Sequence, residues 1–396
     1  MCKDTTKKSN MQVQLELFQF EDLKKPVEVS FTAPDLSSLG GLHLLHGVNL
    51  KQGFLPSLCS HIQEWRNEDL IVHSIQEMVT QRVFQIQAGY EDADDCDALR
   101  KDSMLKMCVG LLPSDHPLSS QPTMTRLENH VTHSELYGMG KEFVMQFIRS
   151  YKKVPSKIIL DFDDSNSNTY GAQQLSLFNE YYGEYCYMPL YVFEGYSGRL
   201  ILPLLRPGRV SKRINVFGLM RRLIMEIRKH WKHTVIIVRG DAMFCSNDFM
   251  EWAKPQWVIT KVECNGMGTN VRHVVTSFYM MDPKVVYEKL YCKRGDCELY
   301  IKELKEGLWS DRMSCSKFTA NQFRLFMHAA AYVLMLEAKQ TLFRKTGLAD
   351  CTVSTFREKV ILTAVRITEY KTKIKVEYVR DHPIRDKIRA ALRRSA

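Results

Sequence analysis

The chain contains no Cys-x-x-Cys pair, no long apolar run, no internal repeat and no low-complexity segment. Its eleven cysteines are scattered and odd in number, which argues against a disulfide framework and for reduced thiols in a cytoplasmic setting. The longest apolar stretch, Ala329 to Leu336, falls far short of the ~20 residues a membrane helix needs. The opening MCKDTTKKSN leads into polar, mixed-charge sequence with no apolar segment of the secretory-signal kind. His43/His46, His130/His133 and His230/His233 are paired at short spacing, but none has a matching Cys or His pair at zinc-finger distance. They read as surface or capping residues. The acidic run from Gly89 to Asp102 lacks the central glycine of an EF-hand loop, so it reads as a negatively charged helix start favoured by the macrodipole.

What is present is an ordinary globular composition, with 45% hydrophobic and 25% charged residues over 396 positions, enough for two or three domains. The net charge of +10 leans toward an anionic partner, and its distribution says more than its total. Between Arg199 and Lys232 ten basic residues face one acid, Glu226. From Lys371 to Ala396 nine basic residues face three acids. Two basic blocks of this kind suit phosphate-backbone contacts, with Arg206, Arg209, Lys212 and Arg213 as candidates in the first block.

Apolar spacing from Leu42 to about Tyr151 is helical, predicting an all-α N-terminal domain over residues 1–150, after a short strand near Val27 to Phe31. Inside it, Ser119 to His130 carries a cap residue at Ser120 and a proline in the first turn, marking a helix start. Arg126 on that helix is a candidate DNA contact. From Lys157 the pattern changes. Lys157–Asp163, Tyr187–Phe193 and Arg199–Leu205 read as a strand meander, Val216–Trp231 as a basic amphipathic helix, and Thr234–Val238 as a strand buried on both faces. Trp257–Val262 reads as a fifth strand. That order predicts an α/β class with a ribonuclease-H-like mixed-sheet core over 151–345, a β insertion near 263–283, and a C-terminal hairpin and basic tail over 346–396.

The densest chemistry lies in Lys157 to Gly171, KIILDFDDSNSNTYG. Alternation along the strand places Asp161 and Asp163 on one face and Asp164 on the other. Neighbouring buried carboxylates repel unless a cation sits with them, so a divalent-metal site with hard oxygen ligands competes with a solvated acidic turn. Asp241 follows the most apolar strand, where α/β sheets build their sites. With those two strands adjacent, Asp163 and Asp241 come side by side. Tyr291, Arg294, Glu298 and Lys305 share a narrow face if one helix runs through Gly295. If the helix starts at Gly295-Asp296, only Glu298 and Lys305 share it.

The spacing Tyr291-x2-Arg294-x3-Glu298-x6-Lys305 resembles the signature of DDE transposases from bacterial insertion sequences. One branch is similar further along the chain, at Leu160 to Asp164, Gly171-Ala172-Gln173-Gln174, Tyr181-Tyr182 and Leu205-Arg206-Pro207-Gly208. Further matches are GYEDADD, SQPTMTRLEN, Arg239-Gly240-Asp241 and Ala320 to Arg324, so that roughly residues 40 to 340 are covered. The chain departs from the pattern at Ser165, where threonine is common, and at Tyr170, where histidine is.

The resemblance implies a catalytic triad of Asp163, Asp241 and Glu298, with Asp161 as second choice for the first acid. It implies Tyr291, Arg294 and Lys305 on DNA phosphates, and two Mg²⁺ ions, with Mn²⁺ as a plausible substitute. The expected activity is cleavage at the ends of a mobile element and joining of the 3′-OH ends to target DNA. The expected partners are double-stranded DNA (terminal inverted repeats and target) and a second protomer, with no membrane, in a nucleoid-associated cytoplasmic location. A non-transposing nuclease of the same fold and a catalytically inactive repressor are the rival expectations.

Overall fold

The computed structural model describes residues 16–18, 25, 27–29, 35–209, 216–241, 244, 247–252, 257–265 and 268–395. Short strands β1 (Glu16–Phe18) and β2 (Val27–Val29) pair antiparallel. After β3 (Leu36–Ser37) come α1 (Leu42–Gln52), α2 (Phe54–Cys59), α3 (Ile75–Ala88), α4 (Asp95–Leu99), α5 (Ser103–Cys108), α6 (Gln121–His130) and α7 (His133–Arg149). Local sequence sets these limits. Ser74 and Glu77 form a capping box at the start of α3, Thr132 and Glu135 one at the start of α7. Gly89 ends α3 at φ +98°, a conformation glycine adopts at no steric cost. The acidic run does lead into a helix start, at α4. At α6, Pro122 sits in the first turn as expected, but the Ser120 hydroxyl bonds to the Thr123 hydroxyl (3.2 Å) and makes no side-chain cap to the backbone.

The central sheet follows. β4 (Lys157–Asp164) leads through β5 (Ser167–Asn168), β6 (Leu177–Asn179) and β7 (Glu184–Tyr187), a small separate sheet of order β5-β7-β6, to β8 (Leu190–Glu194) and β9 (Leu200–Leu204). Then come α8 (Val216–His230) and β10 (Val235–Arg239). The four-stranded sheet has the order β10-β4-β8-β9, with β10 parallel to β4 and the other neighbours antiparallel. Two expectations are corrected. β10 lies at an edge, with Val235 exposed, and is not buried on both faces. The expected fifth core strand, β11 (Trp257–Asn265), does not join this sheet. After α9 (Asn247–Trp252) it pairs along its whole length with β12 (Gly268–Thr276) as a two-stranded hairpin. Nine consecutive backbone pairs with an adjacent strand satisfy it locally, so the core edge is not needed.

A continuous helical run follows, with a π-helical segment Val285–Tyr291, one 3₁₀ turn at Cys292–Arg294, α10 (Gly295–Lys302) and a second π-helical segment Glu303–Gly307. Then come α11 (Phe318–Thr341), α12 (Val353–Phe356), β13 (Val365–Tyr370), β14 (Lys373–Tyr378) and α13 (Arg385–Ser395). The C-terminal hairpin extends into a three-stranded sheet through pairing of β13 with β3.

Strand alternation divides the sheet between two cores. Ile158, Leu160 and Phe162 of β4 pack with Val192, Ile201, Leu223 and Ile227 in one cluster. Tyr191, Phe193 and Leu200 turn to the other side and join Ile301, Phe326 and Tyr332. That second cluster also takes in α1, α3 and Ile361, Val365 and Ala391 near the C-terminus, so the N-terminal helices share their core with α11 and the C-terminal elements. Asp161 and Asp163 belong to the same face of β4 as this second cluster, the face against which α10 packs.

A carboxylate cluster closed by Arg294

β4 and β10 run parallel with Arg239 opposite Asp161. Two residues further along, Asp163 lies on β4 and Asp241 just past the end of β10. One separation, 78 residues, therefore relates both pairs. Asp161 is completely buried and takes a two-pronged ion pair from Arg239, Nε to Oδ1 and Nη2 to Oδ2, each 2.5 Å. Both its oxygens are occupied by a cation that is itself buried and also donates to the Leu290 carbonyl (2.6 Å). Gly195 sits against this pair, where a Cβ would collide with the Arg239 guanidinium and the Asp161 carboxylate. Asp161 is thus a structural partner of Arg239.

Asp163 differs. It is 6% exposed, and burial pushes its acid up to about 6, while Arg294 pulls it down and Asp164 and Asp241 add to the rise. Arg294 reaches it from the helical run, Nη2 to Oδ1 at 3.0 Å. The same guanidinium donates to Glu298 Oε1 at 3.0 Å and lies 3.9 Å from Asp241 Oδ2. All three expected catalytic acids therefore meet at one cation. Backbone dihedrals at Arg294 and Gly295 are helical, so the helix runs through Gly295 and does not begin there. This settles the alternative left open by the sequence.

Lys305, further along the run, donates to Ser165 Oγ (3.0 Å) and the Asn166 carbonyl (2.8 Å), just beyond β4. Tyr291 borders a cavity of about 310 Å³ together with Asp241 and Val274. Tyr291, Arg294, Glu298 and Lys305 are thus gathered around the ends of β4 and β10.

The other expected DNA contacts are dispersed. Arg206 is 3% exposed, pairs with Asp164 and donates to the Met188 carbonyl (2.9 Å). Its guanidinium is committed to the fold, and Asp164 accordingly points away from the cluster. Arg209 is exposed, near the equally exposed Glu180 at 3.6 Å, and Arg126 is exposed on α6. Lys212 and Arg213 lie outside the described residues. Residue-type reasoning missed Arg239 as the partner of Asp161. The signal was available in the shared 78-residue offset, which pairs 161 with 239 as surely as 163 with 241.

Among the described residues no three His, Cys, Asp or Glu side chains are placed to hold a metal ion as they stand. The donor chemistry nevertheless fits one. Asp163, Asp241 and Glu298 offer hard oxygen ligands, and a buried carboxylate whose acid is raised beside other carboxylates is short of positive charge. No helix among the described residues is long and apolar enough to cross a membrane.

The family model of the transposase DDE domain, group 1, matches residues 20–253 and 251–395. The chain belongs to this family of DDE-type transposases. No curated protein matches it. Among solved structures, the cryo-EM structure of a piggyBac transposase synaptic complex with hairpin DNA is similar over 82% of this chain and 79% of that one, at 9% identity and a TM-score of 0.41.

Proposed function

We propose that the chain cleaves phosphodiester bonds at the ends of a mobile element and joins the resulting 3′-OH ends to target DNA, with Asp163, Asp241 and Glu298 as the catalytic acids. The observation that carries this reading is their common contact with Arg294, at the C-terminal ends of two adjacent parallel strands. The sheet order β10-β4-β8-β9, with one parallel and two antiparallel neighbours, supports a ribonuclease-H-like core.

The three carboxylates would hold divalent metal, two Mg²⁺ ions in the full reading, with Mn²⁺ as a substitute. Bound there, the metal supplies an activated water or hydroxyl and neutralises charge on the phosphate. The chain's own groups do the rest. Arg294 exchanges its carboxylates for phosphate oxygens, for which its planar fork is suited. Lys305 fixes the Ser165–Asn166 loop and offers a second positive charge beside the scissile phosphate. Asp161 and Arg239 hold the strand ends in register. In-line displacement at phosphorus depends on positioning and charge stabilisation of this kind.

The segment 1–150, with helices α1–α7 and Arg126 exposed, is the proposed reader of the terminal repeats, while 151–345 carries the chemistry and 346–396 adds basic surface. Arg209 and the exposed Arg221 and Arg222 of α8 extend the phosphate contacts. Two protomers on paired ends complete the proposal. Incubation with DNA carrying the inverted repeats and Mg²⁺ tests it: nicks at the repeat ends followed by joined products are expected. Sequence-specific binding without cleavage would favour a repressor, and cleavage without joining a nuclease.

A further inference from the structure

The hairpin β6–β7 and its flanks expose five aromatic side chains. Tyr181 is 88% exposed and Tyr170 86%, and Tyr182, Tyr185 and Phe178 are exposed as well. The residues around them explain why the hairpin forms. Asn179 Oδ1 accepts from the Tyr181 and Tyr182 amides (3.0 and 3.4 Å), and Gly183 completes the turn at φ +70°. Phe178 and Tyr185 are cross-strand partners with rings 5.5 Å apart. Nothing in this turn chemistry requires aromatic side chains at the tip. Isolated exposed apolar residues are normal, but a cluster of rings marks an interaction site.

Its position narrows the partner. Asn166 and Asn168, just beyond Asp163 and Asp164, donate to the two carboxylate oxygens of Glu184 at 2.9 and 2.6 Å. Asn166 is also the residue whose carbonyl Lys305 holds. On the other side, Asn179 Nδ2 donates to the Gly208 carbonyl (2.8 Å), and a Cβ on Gly208 would collide with the Cys186 and Leu177 carbonyls. The aromatic hairpin is therefore bolted to the loop that follows the first catalytic acid. Arg209 stands at its edge, 3.6 Å from the exposed Glu180 in a weak, solvent-screened attraction. Rings beside a cation, continuous with a phosphodiester-cleaving centre, are the components of a surface for unpaired nucleotides: bases stack on the rings while the cation follows the backbone. Bases inside a duplex already cover each other's faces and leave such rings nothing to stack on.

We propose that the β6–β7 hairpin is a stacking platform for unpaired DNA bases next to the cleavage site, with Tyr181 and Tyr182 as its principal rings and Arg209 as its phosphate contact. This rests on the proposed DNA-cleaving function, and it identifies the part of the substrate that this surface takes. The test is fluorescence anisotropy in EDTA, with a labelled single-stranded oligonucleotide and, separately, a labelled duplex carrying the terminal repeat. Variants are Tyr181→Ala/Tyr182→Ala and the ring-preserving Tyr181→Phe/Tyr182→Phe.

The alanine pair is expected to weaken single-strand binding by about tenfold or more, with duplex binding unchanged and the phenylalanine pair close to wild type. Equal single-strand affinity for all three proteins overturns the platform. So does a change in sedimentation behaviour of the alanine pair with single-strand binding intact, which would assign the rings to a protein contact. Because these measurements need no metal and no cleavage, a platform failure appears in single-strand binding alone. Failure of the parent reading appears as absent cleavage by the wild type.

Discussion

Arg294 Nη2 lies 3.0 Å from Asp163 Oδ1, and its guanidinium also touches Glu298 and approaches Asp241. One guanidinium is thus shared by three carboxylates. Replacing it by Arg294→Gln takes this partner from the buried Asp163 carboxylate, which costs about 1–3 kcal/mol. Mg²⁺ then takes over the lost compensation. Thermal denaturation with and without Mg²⁺ is expected to show a lower Tm for the variant in EDTA and a larger upward shift on adding metal than for wild type. An identical metal response in both proteins would show that Arg294 and metal do not share these acids.

The acidity of Asp163 gives a pH signature. Its acid is raised to about 6 in the folded chain, against ~3.9 for an unfolded aspartate. The folded state therefore holds this proton more tightly. The stability it contributes is full below about pH 4 and is lost as pH rises through about 6. Asp163→Asn removes that dependence, so in EDTA at pH 7.5 the variant is expected to be the more stable by on the order of 1–2 kcal/mol. The difference from wild type closes as pH falls toward 4. Denaturant melts across this range check it, and a variant less stable than wild type at pH 7.5 would contradict it.

Asp161 and Asp163 share a strand face but not a partner. Arg239→Ala strands the buried Asp161 carboxylate and is expected to cost about 3–5 kcal/mol in unfolding free energy. Asp163→Ala, Asp241→Ala and Glu298→Ala should stop cleavage while leaving the fold intact. Circular dichroism melts beside a cleavage assay separate the two classes.

Arg206 and Arg209 are three residues apart and are expected to diverge in the same way. Arg206→Ala breaks a buried contact to Asp164 and lowers stability. Arg209→Ala leaves the Tm unchanged and lowers the magnitude of the salt dependence of DNA binding by about one unit of log K per log salt. Binding titrations at several salt concentrations decide this.

The sequence was most informative where one local pattern sufficed. The alternation of KIILDFDD placed Asp161 and Asp163 on one face and Asp164 on the other, and Asp164 indeed turns to Arg206. The four residues of the helical signature do belong to one unbroken run, because Gly295 keeps helical dihedrals. What one residue type at a time does not reveal is commitment. Arg206 reads as a surface cation inside a basic block until its burial and its contacts with Asp164 and the Met188 carbonyl are seen. β11 has the composition of a core strand, yet it pairs with its immediate successor. The N-terminal helices look self-contained by periodicity, but their core is completed by α11 and the C-terminal segments, with Gln87 donating to the Ala331 carbonyl 244 positions on, which no local window reports.

The most direct test of the central claim is the single-turnover rate of strand cleavage at a terminal-repeat end in Mg²⁺, compared among wild type, Asp163→Asn, Asp241→Asn, Glu298→Gln and Asp161→Asn, each first shown to be folded. Losses of about a hundredfold or more are expected for the first three variants, and a smaller loss for Asp161→Asn that tracks its lower stability. Near-wild-type cleavage by Asp163→Asn alongside an abolished rate for a folded Asp161→Asn would contradict it.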